Sequence, residues 1–134
     1  MPSVRKRGFT IVEILVVIVI LAVLVAIVIP NLGIFKRKAL IDSAKATLTL
    51  IHSAGMMHRS DEGVFPPGAD VPVGAAHPLV AKGYLNPVAS LDWAFSTTAS
   101  AGLPATFTVK ATGLKAPVLG DVITTSDGVV YVGP

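Results

Sequence analysis

The residues from Phe9 to Ile29 form an apolar run broken by a single charge, Glu13, and that run limits what the chain can become. As a helix rising ~1.5 Å per residue it is about 31 Å long, which matches the ~30 Å hydrocarbon core of a bilayer. The segment can span a membrane, or it must be covered by something equally apolar. Arg5, Lys6 and Arg7 precede it and Lys36, Arg37 and Lys38 follow. The first cluster places the N-terminus in the cytoplasm by the positive-inside rule, while the second opposes that orientation. A secretory signal peptide is the competing reading, but its apolar stretch runs ~7–15 residues and ends at small residues. This run is longer and ends in Val28-Ile29-Pro30-Asn31.

A carboxylate inside a bilayer is expensive and normally has a partner, so Glu13 calls for a reason. The series Arg5-Lys6-Arg7, Gly8, Phe9-Thr10, with Glu13 five positions after the glycine, resembles the N-terminus of the type IV pilin and pseudopilin superfamily. The resemblance runs from Arg5 to about Leu50 and includes Pro30. It implies a leader, residues 1–8, whose basic residues anchor it in the cytoplasmic interface. A membrane-embedded prepilin peptidase and N-methyltransferase then cuts between Gly8 and Phe9 and methylates the new amine of Phe9. It further implies that Glu13 is the assembly carboxylate and that mature subunits polymerise through this helix, driven by an assembly platform and ATPase. Each implication has a physical basis. A glycine removes a steric obstacle where a backbone must thread a protease. A methylated but still cationic amine at Phe9 attracts the Glu13 carboxylate strongly in low dielectric, either between subunits or along one helix face. Ala22 departs from the pattern, since many members have glycine there and unwind locally between it and the proline.

Beyond the run, Pro30 lacks an amide donor and predicts a kink. The resulting domain plan is a leader at 1–8, a transmembrane or filament-core helix at 9–33, and a globular head at 34–134. Within the head, Leu40, Ile41, Ala44, Leu48, Ile51 and Gly55 recur at three- and four-residue steps, the apolar stripe of an amphipathic helix over 34–61. Met56 and Met57 are expected to finish that stripe. A connector over 62–90 carries a short helix at His77 to Gly83, with Pro78 in its first turn. From Leu91 the period changes to two. Leu91 to Ser96, Thr106 to Thr112, and a hairpin of 121–125 with 129–132 predict three or four antiparallel strands over 91–134, with Leu91, Trp93 and Phe95 facing one side. The expected fold class is α+β, a long N-terminal helix packed on a small C-terminal antiparallel sheet, which is also what the resemblance implies.

Charge and composition narrow the function. Three of eleven basic residues lie in the leader, leaving eight against eight acidic ones, so nucleic acid is an improbable partner. With no cysteine, the disulfide that closes the C-terminal region of many superfamily members must be replaced by packing or a metal. Asp121 and Asp127 are weak calcium candidates, as related pseudopilins use loop carboxylates, but turn formation is the commoner reason for such residues. His52 and His58 are six apart and do not share a helix face, and His77 precedes a proline in a loop, so no zinc spacing arises. No phosphate loop, nucleophile elbow or paired catalytic carboxylates occur. The expectation is a non-enzymatic structural subunit without cofactor. It is held in the inner membrane as a precursor and then joins a helical homopolymer, an extracellular type IV pilus or, alternatively, the periplasmic pseudopilus of a type II secretion system. A minor or DNA-uptake pilin is a further alternative.

Overall fold

Valine and isoleucine are mediocre helix formers in water, yet they build an unbroken helix α1 over Ile11–Val28 in the computed structural model, which describes residues 8–29, 32–100, 104–126 and 129–133. A helix satisfies its backbone polar groups internally, which is the condition for entering lipid. None of its residues is buried. It passes straight through Ala22, and helical hydrogen bonding extends to Ile29, whose amide donates to the Val25 carbonyl. The kink expected at Pro30 lies outside the described residues.

The chain divides into two units, one ending at Phe35 and one beginning at Lys36. Helix α2 covers Leu32–Glu62, and in the second unit it buries Ala44, Leu48, Ile51, Ala54, Gly55 and His58. These steps of three and four are the predicted stripe, with Leu40 and Ile41 partly buried at its start. Its end differs from expectation. The stripe passes from Ile51 through Gly55 to His58, and Met56 and Met57, on the other side of the helix, are 47% and 59% exposed.

That buried face lies on an antiparallel sheet of β1 (Val71–Pro72), β2 (Trp93–Ser100), β3 (Thr106–Gly113), β4 (Val122–Ser126) and β5 (Val129–Gly133), ordered in space as in sequence. The pairings Phe95 with Ala111, Thr97 with Val109 and Ala111 with Ile123 put one face of each strand inward. Trp93, Phe95, Phe107, Val109, Ala111 and Ile123 are accordingly buried. Leu91 departs from the predicted face: it precedes β2 and is 78% exposed. Gly55 lets helix and sheet approach closely, because a Cβ there would lie 2.2 Å from Phe107 Cε1. Phe107 stacks on Phe65 at 5.1 Å between centroids, and Arg59 covers Phe65 at 4.9 Å.

The connector contributes more than a link. Its strand β1 pairs with β2 at Thr97 and Ser96. Asp70, held at φ 55°, receives hydrogen bonds from Ser96 Oγ (2.6 Å) and Lys110 Nζ (2.7 Å), while its own amide donates to Thr98 Oγ1 (2.9 Å). The short helix α3 (Pro78–Ala81) follows, with His77 as its N-cap, Pro78 in its first turn and Gly83 just beyond at φ 81°. Its Leu79 is fully buried.

Candidate functional site

The first turn of α1 is closed by its own sequence. Thr10 is the N-cap, extended at φ −83° and ψ 153°. Its Oγ1 accepts from the Glu13 amide at 3.2 Å. In return Glu13 Oε2 accepts from the Thr10 amide at 2.8 Å and from Thr10 Oγ1 at 2.9 Å. This capping box satisfies helix-end donors that would otherwise be orphaned. The sequence reading assigned Glu13 only to charge pairing and missed this second role, although Thr-x-x-Glu before an apolar run is its signature. All the bonds to the carboxylate use one oxygen, so Oε1 takes no hydrogen bond from the described residues.

Ahead of the box, Gly8 and Phe9 are non-helical and exposed, Phe9 at 81%. A Cβ built on Gly8 meets no atom within 4 Å. Nothing inside the described chain therefore requires glycine at this position, and a requirement for it must come from a partner that reads the backbone. The leader residues Arg5, Lys6 and Arg7 lie outside the described residues. Helix α1 is long and apolar enough to cross a membrane.

The other candidates sit in the head. Asp121 is engaged by Arg37, whose guanidinium reaches both carboxylate oxygens at 2.9 and 3.0 Å. This pair ties α2 to the approach to β4 across 84 positions of sequence. A cation from the chain's own helix thus occupies the carboxylate considered for calcium, whose companion Asp127 lies outside the described residues. Among the described residues no three histidines, aspartates and glutamates gather as a metal site. His58 and His77 are buried, and each has a hydrogen-bond partner. His58 Nδ1 lies 2.9 Å from the Val64 carbonyl, and His77 bridges Thr97 and Leu79.

An exposed, capped apolar helix followed by a helix-on-antiparallel-sheet head defines a type IV pilin-like chain. Residues 4–29 match the prokaryotic N-terminal methylation motif. The chain is similar to type II secretion system core protein G of several bacteria. It is 45% identical to that of Pectobacterium carotovorum subsp. carotovorum over 62 residues, covering 46% of this chain and 40% of the relative. It is 40% identical to that of Escherichia coli K12 over 62 residues, with 46% and 43% covered. It is 39% identical to that of Vibrio cholerae over 67 residues, with 49% and 46% covered. The match thus spans less than half the length of these relatives. No solved structure matches at the same stringency.

Proposed function

We propose that this chain is a pseudopilin, a non-enzymatic structural subunit of the periplasmic pseudopilus of a type II secretion system. The observation that carries the reading is an apolar helix with no buried residue, capped by Thr10 and Glu13, behind an exposed Gly8-Phe9 junction. Similarity to the core protein G relatives favours a secretion pseudopilus over the type IV pilus that the sequence alone put first. The precursor sits in the inner membrane with its N-terminus in the cytoplasm. Prepilin peptidase cuts between Gly8 and Phe9, and the methylated amine of Phe9 pairs with Glu13, whose Oε1 remains open for it. In lipid α1 is covered by acyl chains, and in the filament by α1 of other copies. The platform and ATPase supply the work of extraction.

Deleting the gene tests this reading. Loss of exoprotein secretion in the deletion strain, with mature protein beginning at N-methylated Phe9 in the envelope of its parent, is the expected result. Retained secretion together with loss of surface filaments would instead establish the type IV pilus reading, which the shared N-terminal motif also supports.

A further inference from the structure

We propose that the connector between helix α2 and the sheet is an acid-released latch whose bolt is His77. The imidazole is buried and bridges two elements. Its Nδ1 accepts the Leu79 amide at the start of α3 (3.2 Å), and its Nε2 lies 2.8 Å from Thr97 Oγ1 on β2. A ring nitrogen that accepts an amide carries no proton, so His77 is the neutral tautomer with hydrogen on Nε2, donating to Thr97. Adding a proton to Nδ1 would set N–H against N–H and remove the cap of α3. Leu79, which that cap positions, is fully buried in the core, and its carbonyl accepts from the Leu85 amide at 3.0 Å. Uncapping α3 therefore loosens the plug that holds the connector down.

The surroundings favour the neutral ring. Burial pushes the His77 imidazole below the ordinary histidine range, and His58 adds to that push. Thr97 and the Leu79 amide are uncharged, and no carboxylate bonds to the ring among the described residues. His58 differs in kind. Its Nδ1 faces the Val64 carbonyl at 2.9 Å and so donates to it, the reverse of the accepting Nδ1 of His77. Its ring meets Tyr84 edge-on at 5.5 Å. The carboxylates beyond it are occupied, Asp61 by the Tyr84 hydroxyl at 3.0 Å and Glu62 by Lys82 at 2.7 Å. His58 therefore acts on the latch only as a neighbour that disfavours charge on His77.

Because His77 binds its proton more weakly when latched than when released, acid favours the released form. Latching is complete above the ordinary histidine value of ~6.5 and is lost as pH falls below it, with the released fraction rising about tenfold per pH unit until the latched ring itself titrates. The test uses the full chain in detergent micelles. Thermolysin cleavage within 73–88 is compared at each pH with that of His77→Asn, because asparagine caps a helix as well but does not titrate. The expected ratio of native to variant cleavage is constant above pH ~7, lying below one because asparagine caps α3 without reaching Thr97, and rises about tenfold per unit below 6.5. A ratio that stays flat to pH 5 overturns the proposal. If His77→Asn does not fold, histidine-labelled native protein decides by NMR. The His77 ring and the Leu79 amide must then titrate together, and a ring that titrates while the Leu79 amide signal stays put refutes the latch.

Discussion

Replacing Gly55 with alanine sets two well-measured effects against each other. Alanine in a helix interior is favoured over glycine by ~0.8–1.0 kcal/mol, so helix α2 by itself would gain. The added methyl, however, would lie 2.2 Å from Phe107 Cε1 and 2.7 Å from its Cδ1 and Cζ, more than an ångström inside ordinary contact. Phe107 is 2% exposed, stacked on Phe65 and flanked by His52 at 5.9 Å, so its ring has little room to retreat. Overpacking of this kind costs roughly 1–3 kcal/mol, which outweighs the propensity gain. At the middle of that range the net expectation is a head less stable by about 1 kcal/mol, or a Tm lowered by about 4–8 °C for a unit of ~100 residues. The single tryptophan, buried Trp93, reports head unfolding by its emission without interference from helix α1. Phe107→Leu removes the ring edge that the methyl strikes, so adding Gly55→Ala to that background should cost less than in the native chain, leaving the double variant less destabilised than the sum of the two single ones. If Gly55→Ala raises Tm in the native background, the close approach of α2 to β3 is not as tight as described.

At the N-terminus, Glu13→Gln preserves the capping box, which accepts glutamine at this position, while deleting the charge. It should insert and be cleaved normally but yield filaments reduced by about tenfold or more, as loss of one member of a desolvated pair demands. Filament yield equal to the native chain would mean that the cap, not the charge, is what Glu13 supplies. A bulky side chain at Gly8 should accumulate uncut precursor, visible by mass spectrometry, with no change in head stability, since Gly8 touches nothing in the described chain. Arg37→Ala should weaken the head by about 0.5–1 kcal/mol, a small effect because the Arg37 side chain is half exposed and screened. A chelator should leave the native Trp93 transition where it is, and a fall in Tm on chelation would mean that a metal competes for Asp121.

What the sequence disclosed followed from periodicity. Steps of three and four along 40–55 and of two along 91–96, 106–112 and 121–125 are properties of neighbouring residues, and helix α2 and the strands overlap those steps, with β2 beginning two residues later at Trp93. Strand β1 escaped notice because Val71-Pro72 is too short to show a period, and it exists only because Thr97 and Ser96 present an edge. Met56 and Met57 misled through their hydrophobicity, since helical phase hands the buried place to Gly55 and then to His58. The Arg37–Asp121 pair joins residues 84 apart, a distance over which no local pattern speaks. The capping box, by contrast, was written out in four residues and was overlooked because the length of the apolar run commanded the reading.

Every atom of that box belongs to Thr10 and Glu13, on the far side of the proposed scission from Gly8. If scission falls there, the helix end is already finished in the precursor and would pass through processing unchanged in shape. Removal of the leader would alter only the electrical character of the tip: a peptide link ahead of a sealed helix would give way to an ammonium group one residue before the cap. Maturation by that proposed route would arm the subunit without refolding it, so cleavage and methylation at the membrane face would leave the helix as they found it.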